Sequence, residues 1–393
     1  MKKFVALIGA IVFLFILTGC WDSVEPKDLA IITSFMIDAD EDGGYEIFME
    51  VLRPESTTAD EDGGSQGSLH YSGTGPTFTD ALYNSAATIN NKLFAGANKI
   101  RVFSERFVKK GMRDPLDYFL RDQLTDEGPL MIMYTGGEIG DLFFADTRMS
   151  DTLGRYVDSV ADSQLSVSSS GVYSRTLDFA KDVLEDGKQP VMGLISLKTN
   201  AVKGKGEKSA QVVYEGLAAF KGTELAGTMN AEETRAYNIL TNGARGVEET
   251  VRTDAGDVMA INARDIKTKI RAGMDGANRV SVNIDVKIGG HLVLFASDTL
   301  KSSNKDDRAI AENLFAERFA SQIAAAVKKA QTEFKSDIFG FGKHFYKRNF
   351  SRWEQIADAW DDEYFANAAV SVKVECKLND SGQIRDEYKP EKI

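Results

Sequence analysis

The sequence predicts an α+β chain of more than one domain, with a mixed-sheet N-terminal region and a C-terminal antiparallel sheet packed by long helices. Three observations predict it. Short apolar strands alternate with amphipathic helices through the first half. Three strand-like runs, Val247 to Thr253, Val258 to Ile270 and Arg279 to Phe295, follow with only Gly-, Asp- and Asn-containing turns between them. A helical stripe from Ala309 to Phe334 is long enough to lie across that sheet. With 393 residues and 43% hydrophobic content the chain can bury sizeable cores, and the usual domain size divides it into about two or three units.

Taken in order, Met1-Lys2-Lys3 is positively charged, Phe4 to Leu17 is apolar, and Leu17-Thr18-Gly19-Cys20 closes with small residues before a cysteine. The apolar run falls short of the roughly 20 residues a spanning helix needs. It reads as a lipoprotein signal peptide over residues 1–19, with Cys20 as the first mature residue, the alternative being an uncleaved anchor helix. A diacylglyceryl group on the Cys20 sulfur carries two acyl chains, each methylene contributing about 0.8 kcal/mol, so the pair anchors stably. The expected site is the outer face of a membrane. The formal charge of −12 gives the chain no general attraction to nucleic acid or anionic lipid. Cys376 is the only other cysteine, so no disulfide framework is expected.

Trp21-Asp22-Ser23-Val24-Glu25-Pro26-Lys27-Asp28-Leu29-Ala30 follows the cysteine. This opening resembles the Ger(x)C family of spore-germination lipoproteins, whose members pass from the acylated cysteine through Trp-Asp and a glutamate into an apolar strand. Pro26 stands where an apolar residue is more usual.

Residues 30 to 52 predict a hairpin around Asp38 to Gly44. Asp38-Ala39-Asp40-Glu41-Asp42-Gly43 matches the start of a calcium loop, but Met49 occupies the position of its bidentate glutamate, so an acidic turn is the reading adopted. Glu55 to Gly67 is polar and Gly-rich, a loop, and His70 to Gly73 a short strand. Thr77 to Leu93 has helical spacing, with Thr77 or Thr79 as cap. Ile100 to Phe103 reads as a strand, Arg113 to Leu124 as a helix burying Leu116, Phe119 and Leu120, and Leu130 to Tyr134 as a strand. Ile139 to Phe144 and Leu153 to Val160 read as helices, the serine-rich Ser163 to Ser174 as a loop, Tyr173 to Glu185 as a helix and Pro190 to Leu197 as a strand. Lys203 to Lys208 is a charged, Gly-rich connection or hairpin tip, without the spacing of a phosphate-binding loop.

In the second half Gly216 to Leu225 is strand-turn-strand, and Asn230 with Glu233 forms a capping-box pattern at a helix start. The long helix carries Phe315, Phe319, Ile323, Val327 and Ala330 on one stripe, with Asp306 and Asp307 before it and Lys328 and Lys329 near its end. Asp337-Ile338-Phe339-Gly340-Phe341-Gly342, Trp353, Trp360 and a strand from Ala369 to Leu378 complete the chain. The order of strand, turn, Glu-Glu-Thr-Arg helix start, Asp and Gly-x-Gly turn, paired tryptophans and final strand is again similar to the Ger(x)C family, although the proline that often precedes its first tryptophan is absent here. Trp353 and Trp360 lie seven apart and would share a helix face, either as core packing or as an exposed anchor for a partner.

The predicted organisation is a signal peptide over 1–19, an N-terminal α/β germination region over 20–200, a linker or hairpin tip over 201–210, a C-terminal α+β domain over 211–385 and a polar tail over 386–393. His70, His291 and His344 are scattered, and neither a nucleotide fingerprint nor a nucleophile elbow is present, so no catalytic residue, cofactor or metal is assigned. The resemblance implies a non-catalytic C subunit of a spore germinant receptor that works with membrane A and B subunits. Candidate partner contacts are Trp21, Asp22 and Glu25, closest to the lipid on Cys20, and Trp353 and Trp360. The rival reading is a solute-binding lipoprotein serving a transporter, which would require two similar lobes with a cleft between them.

Overall fold

The computed structural model describes residues 28–52, 68–121, 128–147, 150–201, 208–297 and 299–379. Cys20, Trp21, Asp22 and Glu25, the Glu55–Gly67 loop and most of the Lys203–Lys208 connection lie outside the described residues.

Strand β1 (Leu29–Ala39) pairs antiparallel with β2 (Tyr45–Leu52), placing Ile37 opposite Ile47, as the hairpin pattern predicts. Asp38 points inward, where Arg106 donates to both its oxygens at 2.6 and 2.8 Å and the Ser104 hydroxyl donates as well. From this hairpin a sheet of nine strands grows among the described residues. Its order is β3 (Ser68–Gly75), β2, β1, β5 (Ile100–Ser104), β6 (Leu130–Tyr134), β7 (Val191–Ala201), β8 (Lys208–Lys221) and β9 (Glu224–Asn230), with β4 (Lys92–Phe94) beside the start of β1.

The pairs β1–β5, β5–β6 and β6–β7 are parallel, and parallel strands are covered on both faces. That is why Ile100–Ser104 and Leu130–Tyr134 are buried at every position. Phe103, Met131 and Met133 face helices α2 (Glu105–Val108), α3 (Arg113–Arg121) and α5 (Thr176–Leu184) through Phe107, Phe119 and Phe179. On the other face Val102, Ile132 and Tyr134 meet Leu142 of a short 3-10 helix and Leu153 and Val157 of α4 (Leu153–Val167).

Three local expectations change. Helix α1 (Phe78–Ala86), capped by Thr77, stops well before Leu93; asparagines are weak helix formers, and after Asn90-Asn91 the chain straightens so that Leu93 pairs with Ala30. Leu120 is 39% exposed, because α3 buries only Pro115, Leu116 and Phe119. Helix α4 runs on through Ser163 and Ser166 to Val167, since Leu153, Val157, Ala161 and Leu165 keep one apolar face going.

Strands β7 and β8 pair antiparallel as far as Ala201 opposite Lys208, so both strands that flank the Gly-rich connection belong to the large sheet. The large sheet therefore continues through Asn230. Alternation along β8 divides its side chains: Ala218 and Phe220 join the N-terminal core, while Leu217 and Ala219 join the C-terminal one.

Asn230 then caps α6 (Ala231–Leu240), accepting from the Glu233 amide at 3.0 Å while the Glu233 carboxylate accepts from the Asn230 amide at 2.9 Å. The second sheet has the order β10 (Val247–Arg252), β11 (Val258–Met274), β12 (Val280–Ala296) and β13 (Ala369–Asn379). Its first three strands are antiparallel, as expected, whereas β13 lies parallel to β12. A parallel partner requires a crossover, and here the helical layer supplies it. Helix α7 (Lys305–Lys329) packs along β10 and β13 and against α6, burying Phe315, Phe319, Ile323 and Val327 in one core with Val282, Ile284 and Val286. A π-turn, Ala330–Phe334, ends it at left-handed Lys335. Two short helices, α8 (Phe341–Tyr346) and α9 (Phe350–Ile356), complete the layer.

Candidate functional site

The segment after α7 carries Asp337, and it organises its surroundings by hydrogen bonding. One carboxylate oxygen accepts from the amides of Gly340 and Phe341, both at 3.0 Å, and the other from the Gly342 amide at 2.7 Å and the Trp360 indole N–H at 2.9 Å. The side chain has no exposed surface. Burial pushes its carboxyl up to about 7, and nearby Asp361 adds to this, while the Gly342 and Phe341 amides and the Trp360 indole pull the other way. Asp361 in turn accepts from the Asp337 amide at 2.7 Å.

Trp353 and Trp360 are brought together, with ring centroids 5.2 Å apart, and Phe345 packs on both. They do not share one helix. Trp353 is on α9, and Trp360 opens a separate π-turn, Trp360–Phe365, after a 3-10 turn. Their relative exposures are 3% and 2%, so the exposed-anchor reading of these two residues is corrected: both rings are packing inside the chain.

What they pack against is the N-terminal region. The Trp353 indole reaches Asp186 at 3.3 Å, Lys343 donates its amide to the Gly187 carbonyl at 2.9 Å, and its ammonium pairs with Glu185. Gln189 donates its amide to the Asp337 carbonyl at 2.9 Å and its side chain to Asp361 at 2.7 Å. Gly187 has φ +77, and its Cα lies so close to Gly342 that a Cβ on Gly342 would stand 2.7 Å from it and 2.8 Å from the Trp360 nitrogen. A second seam runs through the serine patch. Asn238 of α6 donates to the carbonyls of Ser169 and Gly171 at 2.7 and 2.8 Å, and the Ser169 hydroxyl donates to the Gly246 carbonyl at 2.7 Å. Between the seams lies a cavity of about 340 Å³, where Lys188 pairs with Asp182.

Sequence reasoning singled out Trp353 and Trp360 but not Asp186, which meets Trp353, nor Gly187 and Gln189, which meet Gly342 and Asp361 beside them. The Asp186-Gly187 dipeptide is a turn signal, yet nothing local says that its turn receives another region's glycine.

A second buried carboxylate, Glu50, is also occupied. Glu50, 1% exposed, accepts from the hydroxyls of Thr33 at 2.7 Å, Ser34 at 3.0 Å and Ser68 at 2.8 Å and from the amides of Leu153 and Gly154 at 2.7 and 3.1 Å, tying the hairpin to the N-terminus of α4. Ser68 also lies 3.1 Å from His70 Nε2. A nucleophilic relay needs the carboxylate on the far nitrogen of the histidine; here it contacts the serine, and the His70 ring is stacked on Phe143 with centroids 3.9 Å apart. Cys376 is a buried free cysteine whose thiol burial pushes up to about 12. Among the described residues no cluster of three or more His, Cys, Asp or Glu side chains is placed to hold a metal.

The geometry defines a class: an α+β protein of two dissimilar sheets, joined by a buried carboxylate, two indoles and a close glycine pair. A family model described as Spore germination protein N-terminal domain matches residues 22–197, and one described as Spore germination B3/GerAC like, C-terminal, matches residues 215–382. Spore germination protein KC of Bacillus subtilis is 22% identical over 97% of this chain and 96% of its own, and spore germination protein B3 of the same organism is 22% identical over 94% and 95%. The crystal structure of the GerBC protein matches 88% of this chain and 96% of its own with a TM-score of 0.52 at 18% identity, a likeness of fold. The chain belongs to the Ger(x)C family of spore germination proteins.

Proposed function

We propose that this protein is the non-catalytic, lipid-anchored C subunit of a spore germinant receptor, held on the outer face of the cell or inner spore membrane through Cys20 and acting with membrane A and B subunits. The observation that carries the reading is the succession of the two germination-family regions, beginning two residues after Cys20 and running to residue 382. The junction supports a scaffold role, because its buried polar groups are engaged in holding the regions together. A solute-binding lipoprotein would have two similar lobes; among the described residues the sheets have nine and four strands in different orders and are not similar.

Replacing Cys20 with Ala removes the acylated sulfur. In the native host the variant is expected to leave the membrane fraction and to lose germination in response to nutrients. Full retention in the detergent phase with normal germination would reject the anchor.

A further inference from the structure

Beside the hairpin turn, away from the junction, is a cleft of about 600 Å³ between the start of β2, the start of α1 and the outer side of α3. Its walls are of two kinds. Three aromatic rings form one: Tyr45 and Phe78 meet edge to face with centroids 6.1 Å apart, and Phe78 and Tyr118 lie at 4.8 Å. The other is acidic, with Asp114 and Asp117 on α3, and Arg121 at its rim donating through Nε to both oxygens of Asp117 at 2.8 Å. The Tyr45 hydroxyl donates to Asp114 at 2.9 Å. Burial and that bond push the Tyr45 phenol up to about 12, so it stays a neutral donor and its ring face stays electron-rich.

Phe78 forms the floor, while Tyr45 and Tyr118 are half-buried and reach the opening. The N-terminus of α1 also borders the cleft, but Thr77 already caps it, accepting from the Asp80 amide at 3.1 Å. Two carboxylates and one guanidinium, the latter paired with Asp117, therefore border the aromatic surface. Aromatic faces with nearby negative charge attract organic cations, whose dispersed charge sheds water easily, more strongly than neutral molecules of the same shape.

We propose that this cleft binds a small organic cation of the alkylammonium class, with Tyr45, Phe78 and Tyr118 against its carbon substituents and Asp114 and Asp117 supplying charge. The site is independent of the lipid anchor and of the junction. Because both carboxylates are exposed, binding is weak and salt-sensitive.

The test is ligand-observed NMR titration of the full-length protein in neutral detergent, with choline as probe and 3,3-dimethyl-1-butanol, its uncharged isostere, as control. Choline is expected to bind at least about tenfold more tightly than the alcohol, the factor that roughly 1.4 kcal/mol of charge recognition supplies. Asp114→Asn and Tyr118→Leu should each weaken choline binding about fivefold or more. Arg121→Gln, which removes the competing cation, should strengthen it, a gain that loss of folding cannot produce. Equal binding of choline and the alcohol, choline binding unchanged in all three variants, or no choline binding at about 50 mM (the Kd that roughly 1.8 kcal/mol supplies, within reach of a partly desolvated cation–π site) would each overturn the proposal.

Discussion

The Trp360 indole N–H donates to the Asp337 carboxylate over 2.9 Å, joining two residues 23 positions apart beneath a surface that water does not reach. The same carboxylate gathers the Gly340–Gly342 amides, so one side chain sets both the turn into α8 and the position of the ring that packs on Trp353.

This arrangement makes stability depend on pH. Burial raises the Asp337 carboxyl from its ordinary 3.8 to about 7. Between those values the folded chain retains a proton that the unfolded chain has released. The stabilising contribution is complete below about pH 4 and is lost as pH rises through 7, with a ceiling of about 4 kcal/mol for a three-unit shift. Asp361, also raised chiefly by burial, acts in the same direction. Urea unfolding between pH 5 and 8 should therefore show a steeper loss of stability in the native sequence than in Asp337→Asn. Identical slopes in the two proteins would remove Asp337 from the account.

Gly342 leaves no room for a side chain. A Cβ there would lie 2.7 Å from Gly187 Cα, 2.8 Å from the Trp360 nitrogen and 2.9 Å from the Trp353 ring. Gly342→Ala is expected to cost about 1–3 kcal/mol, the range for overpacking a filled interior, and to speed proteolysis near Asp186–Gln189. A native melting temperature together with an unchanged digestion pattern would mean that the two regions can separate without cost.

Glu50 presents a different kind of dependence. Its five donors include the Leu153 and Gly154 amides at the start of α4, so Glu50→Gln removes a charge at a helix N-terminus and leaves the amide's own N–H group facing donors. A loss of about 2–4 kcal/mol is expected in chemical denaturation. Glu50→Ala should lose at least as much, and a neutral result for both would contradict the bonding described.

For partner contact, the candidates Trp21, Asp22 and Glu25 follow the proposed lipid site directly in the chain. The double variant Trp21→Ala, Glu25→Ala is expected to stay folded and membrane-bound but to fall below about a tenth of native co-purification with the other receptor subunits, the loss that roughly 1.4 kcal/mol at an interface produces. Normal recovery would place the contact elsewhere. The next region to test would be the exposed surface outside the junction, since Trp353 and Trp360 themselves are buried.

Much of the architecture was written in local pattern. The β1–β2 hairpin, the 3-10 turn at Ile139–Phe144, the Asn230 capping box and the stripe of α7 all follow from contacts between residues close in the chain, where periodicity and side-chain chemistry suffice. The Ger(x)C resemblance was legible too, because it resides in ordered short motifs. Tertiary structure decided the rest. Leu93 is a strand residue because β1 offers it a partner, β13 is parallel because a helical layer returns the chain to the same end of β12, and β8 gives alternate residues to two cores. The spacing of Trp353 and Trp360 read most simply as core packing but also allowed a surface anchor, since an indole serves both. Tertiary contacts buried them: Phe345 packs on both rings, Asp337 holds Trp360, and Asp186, 167 positions earlier in the chain, meets Trp353. Local sequence specifies which face of an element is apolar, but what covers that face is set by the energy of long-range packing.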